Sequence, residues 1–221
     1  MRICLIGAGN VGGTLGRAWA DAGHEIVFGV QNRPSKRALA LVAEGWGRQA
    51  LVIDAVAQCD VVVLATPWES TQEAVSNAGN LTDKTVLDCT NPLKSDLSGL
   101  SIGFTTSGAE QVAVWAAGGR VVKIFNTTGF ENMARPAYGG TAATMFFAGD
   151  DAMAKATAAR LAEDIGFDPV DAGPLVNARL LEPLGMLWIE LAVRGGLGAG
   201  IAYQLLRRLP HDVDPTLSVG A

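Results

Sequence analysis

The stretch Arg2-Ile3-Cys4-Leu5-Ile6-Gly7-Ala8-Gly9-Asn10-Val11-Gly12 decides the fold. Arg2–Ile6 is short, apolar and β-prone, and the residues after it form the pattern G-x-G-x-x-G. The pattern alone is common. Its weight comes from context, because it follows a strand directly and opens a segment of helical spacing over 11–22, with Leu15, Ala18 and Trp19 on one face. In such a turn Gly7 permits the tight bend, Gly9 lets backbone approach a pyrophosphate, and Gly12 allows the helix to pack closely on the strand. The helix start then offers unpaired N–H groups and a partial positive charge to phosphates. A dinucleotide is the expected ligand.

Outward from this turn the chain alternates. Strands are expected at Glu25–Val30, 50–53, 60–65, Thr85–Asp88, 120–125, 144–148 and Asp168–Asp171. Helices are expected over 35–44, where Pro34 is placed to start one, and over 71–78, 110–117 and 151–165. The run Val61-Val62-Val63-Leu64 suits a strand buried on both faces of a parallel sheet. The segment 89–107, rich in Ser, Asn, Gly and Pro, reads as a loop, and 175–209 reads as almost wholly helical, broken near Gly195-Gly196. The expectation is an α/β fold: a Rossmann-type, doubly wound, mostly parallel sheet over 1–173, with a small C-terminal helical segment over 174–221 packing on that domain or on a partner subunit.

Composition narrows the function. Hydrophobic residues make up 49% and charged residues 18% of 221, which excludes a disordered chain. The net charge of -5 and the lack of a basic run argue against nucleic acid. The apolar stretch 184–206 is interrupted by Glu190 and Arg194, so no membrane span is expected. Met1-Arg2 leads straight into a strand, so no leader is expected. Cys4, Cys59 and Cys89 form no C-x-x-C pair and suit a reducing, cytoplasmic setting. Cys4 reads as core; Cys89, at a strand end, also reads as a buried thiol.

The end of the second strand bears on the choice between NAD and NADP. An NAD binder carries an acid there for the ribose hydroxyls. This chain reads Val30-Gln31-Asn32-Arg33-Pro34-Ser35-Lys36-Arg37, with three cations and no acid. A 2′-phosphate is the natural partner of such a cluster. Other strand ends share this edge of a parallel sheet, where ligands bind. Ala65-Thr66-Pro67-Trp68, Thr90-Asn91-Pro92-Leu93 and Asn126-Thr127-Thr128-Gly129-Phe130 are candidates to line the nicotinamide end. His24 lies at the opposite end of the sheet and His211 in a late polar segment. No metal-ligand spacing and no G-x-S-x-G elbow is present. Hydride transfer between two redox cofactors needs alignment and exclusion of water, and does not require a protein acid or base.

These residues resemble the NADPH-dependent coenzyme F-420 reductases, the group described as NADP oxidoreductase, coenzyme F-420-dependent. The likeness runs through the whole chain. It is carried by the Gly-Asn-Val-Gly loop, the cationic end of the second strand, Thr66-Pro67-Trp68, Asp88-Cys89-Thr90-Asn91-Pro92-Leu93, and Val121-Val122-Lys123-Ile124-Phe125-Asn126-Thr127. The resemblance implies hydride transfer between NADPH and a deazaflavin or flavin-like acceptor, in a pocket shaped in part by the C-terminal segment. It implies that Arg33, Ser35 and Lys36 hold the 2′-phosphate, beside the further cofactor-binding candidate Asn32, that Gly9, Asn10 and Val11 hold the pyrophosphate, and that Asn126 and Thr127 lie near the meeting of the two rings. The archaeal reductases tend to have histidine at the position of Asn126, and Ser-Arg where this chain has Val30-Gln31. The same domain is similar to the cytosolic part of membrane ferric reductases. Two alternatives stand beside this reading: an NADP-dependent reductase of a small carbonyl or imine, and a non-catalytic dinucleotide-binding module. Dehydrogenases of small substrates add a large helical domain bearing a lysine, whereas 175–209 contains none. Leu184, Leu187, Trp188 and Leu191 are expected to leave an apolar face that a homodimer would cover.

Overall fold

Alternate residues of the first strand, β1 (Arg2–Ile6), enter two different cores. Ile3 and Leu5 join one apolar cluster with Leu15, Trp19 and Phe28; Cys4 and Ile6 join a second with Val27, Val56 and Leu64. A strand buried on both faces needs a helical layer on each side, and the computed structural model, which describes residues 1–31 and 35–208, shows this arrangement. After β1 come α1 (Asn10–Asp21), β2 (Glu25–Val30), α2 (Lys36–Ala43), β3 (Arg48–Leu51), α3 (Val52–Gln58), β4 (Val61–Leu64), α4 (Trp68–Asn77), β5 (Thr85–Asp88), α5 (Gly108–Trp115) and β6 (Arg120–Lys123). The chain continues through α6 (Phe130–Ala134), a small hairpin of β7 (Ala137–Tyr138) and β8 (Thr141–Ala142), β9 (Thr144–Gly149), α7 (Ala152–Glu163), β10 (Asp168–Asp171) and α8 (Ala178–Ile189).

Eight strands form one sheet in the order β10-β9-β6-β5-β4-β1-β2-β3. All neighbours are parallel except β6 and β9. From β1 the chain first works outward to β3, then crosses back to β4 and works the other way. The carboxyl ends of β1 and β4 therefore border a switch point, where ligands bind in such sheets. α1, α2 and α7 cover one face through Leu15, Trp19, Leu41 and Leu161; α3, α4 and α5 cover the other through Val52, Val75 and Val112.

The structure corrects the sequence reading in two places. The expected strand 50–53 is displaced: β3 occupies Arg48–Leu51, paired with β2, and the chain turns into α3 at Val52. Val52, Ala55 and Val56 are the buried residues of α3 and sit at helical spacing, so burial on the sheet overrides the β propensity of Leu51-Val52-Ile53. The helix expected over 175–209 is also shorter. It begins with a 3-10 turn at Leu175–Asn177, runs through α8, ends in a π-helical turn at Glu190–Arg194, and stops at Gly195-Gly196, with Gly196 at φ +72°. The following residues form a non-helical strap. Asn132 Nδ2 donates to the carbonyls of Ala199 (3.0 Å) and Ile201 (2.8 Å), and the Trp188 indole N–H donates to Ile201 O at 2.7 Å. Thr144 N donates to Tyr203 O at 2.9 Å. Trp188, expected at an exposed face, is thus buried beneath the chain's own strap. His24 sits at the amino edge of the sheet against Asp164, 3.0 Å away, and His211 lies outside the described residues. No helix among the described residues is long and apolar enough to cross a membrane.

Candidate dinucleotide site

The three glycines of the first turn have different surroundings. Gly7 has φ +109°, and a β-carbon there would stand 2.4 Å from Ala65 O. One on Gly12 would stand 1.9 Å from Gly7 O and 3.2 Å from Ala65 Cβ. Both glycines let the β1–α1 turn press against the end of β4. Among the described residues, a β-carbon on Gly9 would meet only the Arg37 guanidinium, at 3.6 Å. Gly9 is the N-cap of α1, with no side-chain cap and no acid in the first turn, and the first helical bond runs from Gly13 N to Gly9 O. The N–H groups of Asn10, Val11 and Gly12 thus precede the helical ladder, and the positive end of α1 is not neutralised by its own sequence.

This helix end faces a cavity of about 760 Å³ that crosses the switch point. Of the residues singled out in sequence, Gly7, Gly9, Asn10, Val11 and Ser35 line one side. Ala65, Thr66, Pro67, Trp68, Thr90, Asn91 and Leu93 line the other, joined by Glu69 and Lys94, which the sequence reading did not single out. Thr66 Oγ1 lies 3.0 Å from Thr71 Oγ1, and Thr71 donates back to Pro67 O, which fixes the turn into α4. A smaller cavity of about 290 Å³ continues past the glycines to Gly29, Val30, Gln31, Ser70 and Asn77.

The remaining candidates are placed differently. Gly12 packs behind the loop. Lys36 is exposed and lines neither cavity, and Asn32 and Arg33 lie outside the described residues. Arg37, one residue on, lines both the large cavity and a third of about 250 Å³ on the other flank of the glycine turn. The helix α2 is capped by Ser35, whose Oγ accepts from Ala38 N. That cap points the first turn of α2 at the glycine turn, and only side-chain direction, invisible in sequence, favours Arg37 over Lys36. Pro92 is buried near Gly108 and outside the cavity.

Asn126 and Thr127 are buried rather than lining the cavity. Asn91 and Asn126 clasp one another: Asn91 Nδ2 donates to Asn126 O (2.8 Å), and Asn126 Nδ2 donates to Asn91 Oδ1 (3.0 Å) and to Leu181 O (3.0 Å). Gly185 of α8 closes on this pair, since a β-carbon there would be 2.5 Å from Asn126 O. Asn126 therefore reaches the cavity wall only through Asn91.

Sequence reasoning missed a charged cluster behind this wall. Lys123 is fully buried; its Nζ lies 2.7 Å from Asp88 Oδ2 and 3.0 Å from Glu182 Oε1, and donates to Thr90 O at 2.7 Å. Glu182 Oε2 and Oε1 accept from Gly108 N and Ala109 N at the start of α5. Burial alone would push the lysine down, but the two carboxylates outweigh it and hold its ammonium above the ordinary lysine range. The three residues come from β5, β6 and α8, with no spacing to betray them. Burial, with Asp88 beside it, pushes the Cys89 thiol up, so it offers no thiolate to the cavity.

The doubly wound sheet, the glycine turn and the cavity at the switch point define a Rossmann-type dinucleotide-binding protein. A sequence model described as NADP oxidoreductase, coenzyme F420-dependent, matches residues 2–92. The crystal structure of a proposed F420-dependent NADP-reductase from Arthrobacter sp. FB24 is 32% identical, covers 93% of this chain and 99% of its own, and superposes with a TM-score of 0.82. The chain belongs to this family of NADP-dependent oxidoreductases. The rat metalloreductase STEAP3 is 28% identical over 189 residues, which are 84% of this chain and 37% of that protein; the chain thus spans little more than a third of this curated relative. An imine reductase from Streptomyces aurantiacus, at 20% identity, TM-score 0.64 and coverage of 90% and 69%, shares the fold.

Proposed function

We propose that the chain transfers a hydride between NADP(H) and a flavin-like or deazaflavin (F-420) acceptor. The carrying observation is the unblocked start of α1, with Gly9 open to the cavity and Arg37 beside it, and no acid at the end of β2 among the described residues. The residues present fit the cofactor, because the glycine turn leaves at Gly9 the space that a β-carbon would take. In this reading the backbone of Gly9, Asn10 and Val11 binds the pyrophosphate. Arg37 and Ser35, with Asn32 and Arg33 nearby in sequence, bind the 2′-phosphate, and Lys36 serves as a peripheral cation. Gly29 to Gln31 flank the adenosine. Ala65, Thr66, Pro67 and Asn91 orient the nicotinamide end, and Pro92, Asn126 and Thr127 support it from behind. The bound reduced nicotinamide supplies the hydride. No histidine among the described residues lines this cavity, and a redox ring as acceptor needs no protein acid.

A second reading, reduction of a small carbonyl or imine, is favoured by one observation: Lys94 stands on the same wall and offers a proton to a developing alkoxide or amine. The test is a binding titration with NADPH and NADH, followed by mixing the loaded protein with F-420, FMN and a cyclic imine. Oxidation of NADPH by F-420 or FMN is expected. Turnover of the imine alone would establish the second reading, and tight NADPH binding without turnover would leave a dinucleotide-binding module. We further propose that 1–173 form the NADP-binding domain and that 174–221 complete it. The buried thiols suit a cytoplasmic setting. Exposed Leu180, Leu187 and Val193 on and beyond α8 suit a homodimer, which light scattering tests.

A further inference from the structure

Thr90 lines the cavity, yet its three polar groups all bond into the buried cluster. Its N–H and its hydroxyl both donate to Asp88 Oδ1, at 2.9 and 2.7 Å, and its carbonyl accepts from Lys123 at 2.7 Å. The next residue, Asn91, lines the cavity and is clasped to Asn126. A buried ion pair is a poor device for stability, since apolar residues of similar volume do as well or better. A fully satisfied buried network does fix one geometry. We propose that Lys123 and Asp88 are positioning residues, which clamp the peptide unit of Thr90 and so set the depth at which Asn91 is presented to the nicotinamide end. Glu182 ties α8 to the same ammonium, so the C-terminal segment and the β5 turn are held against one point.

The inference rests on reading the cavity as the NADP(H) site, and the test separates the two. Lys123→Met removes the ammonium. Thr90→Val keeps shape and burial but loses the hydroxyl bond, and gives a milder variant should the first not fold. Three readouts are taken on the full chain: affinity for 2′,5′-ADP, which reports the adenosine half alone; fluorescence of the bound reduced nicotinamide; and the NADPH oxidation rate with the acceptor the unaltered protein uses. Both variants are expected to keep 2′,5′-ADP affinity within about twofold, a difference of only ~0.4 kcal/mol. Both should lose the fluorescence signature of a held nicotinamide. Oxidation should slow at least tenfold in Lys123→Met and several-fold in Thr90→Val. Unchanged nicotinamide fluorescence and oxidation in a folded variant would overturn the inference. Absence of NADPH and 2′,5′-ADP binding in the unaltered protein would overturn the cofactor reading, and this inference with it.

Discussion

Gly9→Ala and Gly12→Ala should fail in different ways, although the two glycines belong to one motif. A β-carbon at Gly12 would lie 1.9 Å from Gly7 O, where ordinary contact begins near 3.4 Å. Both atoms sit on backbone that β1 and α1 hold in place, so α1 must move by about 1.5 Å relative to the strand, at an overpacking cost of roughly 1–3 kcal/mol. For a chain of this size that cost lowers Tm by about 2–12 °C, and the phosphate-binding helix end is displaced as well. Alanine at Gly9 meets only the end of the flexible Arg37 side chain, at 3.6 Å. It should leave Tm within about 2 °C, while its methyl occupies the space needed for close approach of a pyrophosphate. NADPH affinity is then expected to fall at least about tenfold, or 1.4 kcal/mol. Thermal melts without ligand and fluorescence titration with NADPH separate the two quantities. Gly12→Ala melting with the unaltered protein, or Gly9→Ala binding NADPH unchanged, would refute the assignment of roles.

Arg37→Met should weaken NADPH binding by about tenfold or more while leaving NADH unaffected, because a hydrogen bond to a charged group contributes about 1.5–3 kcal/mol; an unchanged ratio of the two affinities removes Arg37 from the 2′-phosphate. Asn132→Leu strips the carbonyls of Ala199 and Ile201 of a buried donor. It should cost about 2–3 kcal/mol and open the strap to limited proteolysis, and an unaltered cleavage pattern would count against the strap being held there. The Arg179 guanidinium, 2.9 and 2.7 Å from the two oxygens of Glu110, holds that carboxyl below the usual range. Its stabilisation is present in full above the unfolded value of about 4.3 and is lost as pH falls through the folded one. Arg179→Gln should therefore flatten the acid limb of the stability curve, though only modestly because the pair is partly exposed and screened by solvent; denaturant unfolding near neutrality and in acid reads this directly.

The motif and the central strands were legible because each is a local signal. The glycine turn fits its strand–helix context, and Val61-Val62-Val63-Leu64 is apolar on both faces because both faces are covered. Reading failed where tertiary burial decided. Val52-Ile53 looks like strand in isolation and is helix because Val52, Ala55 and Val56 are drawn onto the sheet. The residues after Gly196 have helical composition, yet their carbonyls are taken by Asn132 and Trp188, and the chain runs as a strap. Around the cavity, Thr66 and Asn91 lie at strand ends as the sequence reading expected, but side-chain directions were not legible. Asn91 lines the cavity and Asn126 is buried behind it; Arg37 reaches the glycine turn and Lys36 does not. The cluster of Lys123, Asp88 and Glu182 joins residues far apart in sequence, and no pattern within any one segment could announce it.

That cluster also constrains how sequences of this fold can diverge. Loss of the lysine alone strands two carboxylates without a counter-charge, and loss of either acid unbalances the rest, so single exchanges are disfavoured by the full penalty of an unmatched buried charge. Positions 88, 123 and 182 can drift only as a set, through chains in which all three are apolar or a partner change has already occurred. In aligned relatives the three columns should covary, and a relative with an apolar residue at 123 should lack the acid at 182, freeing the start of its fifth helix for some other acceptor.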